Sequence, residues 1–154
     1  MNVASLELCK ELHEVSGWSD TPLVYGNFWR DGSISPVGVY SRDHLEDDSI
    51  PTIIHPVFDL GYLLSKLPQK ITWRRETMGF CLTGATSDGS WICDYIVATW
   101  SYPLPDPVSN VWMHSGGEAN KTEADTPEDA ATKLAIQLFR QGLLTRDGES
   151  GASA

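Results

Sequence analysis

Three scarcities constrain this chain before any motif does. Its cysteines, Cys9, Cys81 and Cys93, form an odd set without a CxxC pair, which argues against a disulfide framework and a zinc site and fits a reducing compartment. Nowhere do about 18 apolar residues run consecutively, and no basic segment leads into an apolar run after Met1. Membrane spanning and secretion therefore lack support. Basic residues are few: 11 Lys and Arg face 21 Asp and Glu, for a formal net charge of -10. Such a field repels phosphate backbones and anionic membranes, so direct nucleic-acid binding is disfavoured and a basic protein surface is the favoured partner, if the charge serves more than solubility.

Chemistry-bearing patterns are equally sparse. His13, His44, His55 and His114 are scattered, none at a recognised ligand spacing, so no metal is expected. Asp43-His44 with Glu46, Asp47 and Asp48 offers hard oxygens but lacks the alternating spacing and central glycine of a calcium loop. A solvated acidic loop is the simpler reading. No serine sits at an elbow between glycines, and TGATSDG has no GK[ST] and lies between strands. Neither an enzyme nor a cofactor is expected. Asn120-Lys121-Thr122 matches a glycosylation tripeptide, but a reducing compartment argues against its use.

What is present reads as scaffold. At 154 residues and 41% hydrophobic content, the chain can bury one core, and a single α+β domain over 1–145 with a flexible tail over 146–154 is predicted. Leu8, Leu12 and Val15 make one stripe of an amphipathic helix over Val3 to Val15, stopped at Ser16-Gly17. LVYGNFW and SPVGVYS flank Asp31-Gly32, a hairpin signal; RDHLEDDSIP then reads as an exposed acidic loop. Asp59 can cap a short helix carrying Leu60, Leu63, Leu64 and Leu67, ended by Pro68. KITWRRE, FCLTGATS and SWICDYIVATW read as strands, the last interior to its sheet, with Gly84 a candidate bulge. YPLPDPVSN leaves the sheet, Val111 to His114 is a candidate returning strand, and SGGEANK is a loop by composition. Thr126, Pro127, Glu128 and Asp129 then open a helix with Ala131, Leu134, Ala135 and Leu138 inside and Gly142 at its stop. The predicted architecture is an antiparallel sheet of about four to six strands, covered on one face by helices that include this C-terminal docking helix.

Six tryptophans, Trp18, Trp29, Trp73, Trp91, Trp100 and Trp112, exceed what one small core can hide. Trp73 precedes Arg74 and Arg75, and with Lys66 and Lys70 these gather four basic residues into ten positions. An anionic small molecule such as a nucleotide could stack and pair there; a strand edge protected by charge is the plainer reading.

Three segments, SLELCKELHEVSGW, FDLGYLLSKLPQKIT and EADTPEDAATKLAIQLFRQGLL, together resemble a family of small uncharacterised proteins encoded by bacteriophages and prophages. The resemblance covers about a third of the chain and leaves 19–57 and 74–117 unmatched. It implies a protein of the infected bacterial cytoplasm, an accessory factor that binds a host or phage protein. Combined with the charge, the leading expectation is an inhibitor of a host defence system, for example one that competes for the basic nucleic-acid channel of a CRISPR nuclease. Asp43, Glu46, Asp47 and Asp48 would supply charge and Trp29 and Trp112 apolar anchors. The alternatives are a nucleotide-sequestering protein using Trp73, Arg74 and Arg75, and a virion or assembly component. A homodimer through a sheet edge stays open.

Overall fold

The computed structural model describes residues 2–27, 29–30, 32–44, 52–73, 76–84, 87–96 and 121–147. In chain order these form α1 (Leu6–Ser16), β1 (Leu23–Asn27), β2 (Trp29–Arg30), β3 (Ser33–Ile34), β4 (Gly38–Ser41), a 3-10 turn (Arg42–His44), β5 (Thr52–Val57), α2 (Leu60–Lys66), β6 (Lys70–Trp73), β7 (Glu76–Thr83), β8 (Trp91–Ile96), β9 (Lys121–Ala124) and α3 (Pro127–Arg140). The class is α+β. Its strands are divided between a three-stranded sheet, β4-β1-β5, a four-stranded sheet, β6-β7-β8-β9, and a two-stranded ribbon, β2-β3. All their pairings are antiparallel.

Helices link the two larger sheets. α3 packs on β8, β9, α1 and α2, while α1 packs on β5 as well as on α3. Ala130, Ala131, Leu134, Ala135 and Leu138 of α3 are fully buried, as are Cys9 and Leu12 of α1. Small side chains let these helices approach each other and the sheet closely. On the four-stranded sheet, the register sets Ile71 opposite Met78, Phe80 opposite Tyr95 and Leu82 opposite Cys93. Ile71, Met78, Cys93 and Tyr95 are buried in the same core as α3. The Tyr95 hydroxyl donates to the Pro68 carbonyl, 2.6 Å, so this buried phenol is satisfied.

The helix ends follow capping chemistry. Thr126 Oγ1 accepts from the Asp129 amide at 3.1 Å, Pro127 opens the first turn, and Glu128 and Asp129 complement the helix dipole. At the other end, Gly142 takes a φ of 70°. The Leu143 amide then reaches the Leu138 carbonyl and the Gly142 amide the Phe139 carbonyl, a paired arrangement that satisfies carbonyls the helix would otherwise orphan. Asp59 caps α2 through the Tyr62 amide, 2.8 Å, as its position predicts.

Four departures from the sequence-based expectation have tertiary causes. α1 begins at Leu6 rather than Val3, because the Ala4 amide donates to the Phe58 carbonyl at 3.0 Å and the Ser5 amide to Asp129 Oδ1 at 2.7 Å. Those contacts hold residues 4 and 5 against neighbouring elements. Gly84 is not a bulge: a Cβ there would lie 2.7 Å from the Trp91 ring, so the residue is small to admit that indole. The register irregularity falls instead between Tyr25 and Gly26, against β5. Finally, strand β9 is unexpected: it takes Lys121, the last residue of the expected loop, with Thr122 to Ala124, and its pairs with β8 put Thr122 opposite Cys93 and Ala124 opposite Trp91. The candidate strand Val111 to His114 lies outside the described residues.

Thr122 explains why so polar a segment becomes strand. Its hydroxyl is buried, 2.8 Å from the Ala130 carbonyl and 3.1 Å from the Cys93 carbonyl, with one proton shared between them. It therefore joins sheet and helix at one point. Thr122→Val keeps the shape and loses the donor, so it should cost about 1–2 kcal/mol, read as a lower urea midpoint with unchanged slope. Thr122→Ser should recover most of that loss.

Candidate functional site

Of the residues proposed from sequence as a contact set, only Asp43 and the backbone of Trp29 fall among the described residues. Asp43 is exposed in the 3-10 turn after β4. Glu46, Asp47, Asp48 and Trp112 lie outside the described residues, as do Arg74 and Arg75. Trp29 has its backbone in β2 and Trp73 in β6, each strand-paired, Trp29 with Ile34 and Trp73 with Glu76. Arg42, beside Asp43, is turned to the fold: its Nε donates to the Thr21 carbonyl and its Nη2 to the Ser19 carbonyl, both at 2.6 Å.

The ribbon carries a signal that the sequence reading passed over. Among the described residues the exposed large hydrophobics are Ile34, 61% exposed, and Val37, 46% exposed. They flank Pro36 between β3 and β4, and Gly32, just before β3, takes a φ of 78°. The alternation of a strand pattern hid them, since a period of two does not say which face meets the core.

A second constellation gathers the residues of the three familiar blocks. Trp18 packs edge-on against Phe139, ring centroids 5.0 Å apart, and against Tyr62, 6.1 Å. Lys66 Nζ lies 5.8 Å from the Trp18 ring and 5.3 Å from the Tyr62 ring, and pairs with Asp20 at 3.3 Å. Tyr62 donates its hydroxyl proton to Asp20 as well. The Trp18 indole donates to the Arg146 carbonyl, 2.6 Å, which ties the chain beyond α3 to the turn after α1. Every polar atom named here has a protein partner, so the cluster reads as a clasp between segments. Asp20 is held below the usual carboxylate range, first by the Tyr62 hydroxyl and then by Lys66, against a smaller opposing effect of burial.

A third junction pairs two histidines across α1 and β5. The His13 and His55 ring centroids are 6.3 Å apart at 64°. His13 Nδ1 lies 2.9 Å from the Trp18 carbonyl, so that nitrogen is the donor of the pair. His55 is held below the usual histidine range by burial first, then by Lys10 and His13, with Glu14 opposing. The described residues hold no group of three or more His, Cys, Asp or Glu fit for a metal. Cys9 is pushed up to about 11 and Cys93 also upward, both mainly by burial, so neither is a thiolate nucleophile at neutral pH.

A groove of about 420 Å³ runs between α1 and α3. Leu8 and Glu11 line it from α1, and Lys133, Ile136, Gln137 and Arg140 from α3. The α3 set falls at three- and four-residue steps, hence on one stripe. Arg140 Nη2 pairs with Glu11 at 2.5 Å, while Lys133 Nζ donates to the Glu123 carbonyl at 2.9 Å.

No family model, curated protein or solved structure matches the chain. Among the described residues, no helix is long and apolar enough to cross a membrane.

The geometry sets two titrations. As pH falls through about 6.5, the unfolded chain protonates His55 before the folded chain does, so stability declines until the lower folded value is passed. Denaturant midpoints should therefore drop between about pH 7.5 and about pH 5.5, and His55→Gln should flatten that interval; a parallel profile would exclude His55 as the source. Tyr62→Phe should move the Asp20 titration, followed by carboxyl NMR, back toward its ordinary value.

Proposed function

We propose that this chain is an acidic accessory protein that acts by binding another protein with a basic surface. The exposed pair Ile34 and Val37, presented by a short ribbon on a molecule of net charge -10, carries this reading. Apolar side chains held out in water by a fixed turn serve as contact anchors, and the surrounding negative field steers a basic partner toward them. Asp43 adds exposed charge beyond the far end of β4. Glu46, Asp47, Asp48, Trp29 and Trp112 stay in the proposed contact set on their residue chemistry alone.

In the phage setting suggested by the three sequence blocks, the partner is a host defence protein, and a CRISPR nuclease with its basic nucleic-acid channel fits the charge. Inhibition would then be competition: the acidic surface occupies cations that the nucleic acid needs.

The test is a pull-down with the tagged full-length chain from infected host cells. A basic-surfaced protein should be retained, and retention should fall severalfold as salt rises from about 0.1 to about 0.5 M. Ile34→Ser with Val37→Ser should lower retention further at fixed salt without altering the melting profile. Binding indifferent to both salt and ribbon would end the proposal.

A further inference from the structure

A second surface feature is the groove between α1 and α3. It lies on a different pair of elements from the ribbon, and also away from Trp73 on β6. Its apolar side is Leu8, half-buried, and Ile136, 4% exposed. Its polar side carries two of the chain's 11 basic residues, Lys133 and Arg140, against one carboxylate, Glu11.

The donor count shows what these cations have left to offer. An ammonium has three N–H donors and a guanidinium five. Among the described residues Lys133 gives one to the Glu123 carbonyl, and Arg140 reaches Glu11 through Nη2. Several charged donors therefore stay open on the groove wall, together with the Gln137 amide. Lys133 and Arg140 are seven residues apart on α3, about 10 Å along the axis, with Ile136 between them. That spacing separates two anion positions by an apolar step.

We propose that this groove binds a small organic anion, with a carboxylate or phosphate group at Lys133 or Arg140 and an apolar or flat body over Leu8 and Ile136. A volume of about 420 Å³ lies within the range of small-molecule sites. The overall negative charge does not oppose this at contact distance. Charges beyond about 8 Å are largely screened at physiological ionic strength, whereas paired donors within the groove act directly.

The experiment is an NMR titration of the isotope-labelled full-length chain with two probes, adenosine monophosphate and octanedioate. Adenosine and octanediol are their uncharged counterparts. At least one charged probe should shift the Lys133, Ile136, Gln137 and Arg140 amides saturably, and its neutral counterpart should bind at least tenfold more weakly. Lys133→Gln with Arg140→Gln should reproduce that tenfold loss. Gln137→Trp, which fills the groove while leaving both cations, should abolish the shifts. The proposal is overturned by no saturable shift from either charged probe, by shifts centred on other residues, or by equal binding of charged and neutral forms. These readouts involve neither the ribbon nor a protein partner, so they stand or fall apart from the protein-binding reading.

Discussion

The structure depends on the contact between α1 and α3. One sheet rests on α1 through β5 and the other on α3 through β8 and β9, so the contact between these helices links the two sheets. Contact this close requires small residues. Ala4, Cys9, Ala130, Ala131 and Ala135 are all fully buried, and a larger side chain at any of them would force the helices apart or into strained rotamers. Asp129 adds a polar lock: its amide is capped by Thr126 and its carboxylate receives the Ser5 amide, so the start of α3 also fixes the start of α1.

That dependence gives a structural role to the segments 5–18, 58–72 and 123–144. They are far apart in the chain, yet Trp18, Tyr62, Lys66 and Phe139, one or two from each block, meet in a single aromatic and ionic clasp. The clasp closes the turn after α1 onto α2 and onto the chain beyond α3. Its polar groups are paired within the clasp or with the Arg146 carbonyl. The blocks keep the helices in place, and the ribbon and the groove are carried on what the helices and sheets leave open.

Local chemistry made much of this fold readable in advance. Thr126-Pro127, Asp59 and the glycines Gly32, Gly89 and Gly142 act within a few residues of themselves, and each does what its type dictates. Features that depend on distant partners were not readable. β9 is a strand because Thr122 finds carbonyls on both β8 and α3; four residues of mixed polarity carry no period long enough to announce that. Gly84 is small because of an indole seven residues on, and the α1 start is set by Phe58 and Asp129. The groove was hidden for a related reason. Nothing within α3 sets Lys133 and Arg140 apart from other polar helix positions, and only the placement of Leu8 and Glu11 from another helix gives them a wall to share.

Charge acts here on two length scales, and separating them reconciles an acidic protein with a cationic groove. At long range the sum of -10 sets the sign of the field that an approaching macromolecule meets. Within a few ångströms the sum is irrelevant, because screening leaves only the nearest groups to count. There the ion pair of Arg140 with Glu11 does more than neutralise. It also draws the guanidinium across the two helices, with its remaining N–H groups free to meet a ligand. A flexible lone arginine would lose side-chain freedom on meeting a ligand, whereas one already oriented by a carboxylate has lost part of it on folding. Glu11 thus weakens the field in the groove while lowering the entropic cost of using it, and at contact distance the second effect favours recognition of a small, shaped anion over diffuse attraction.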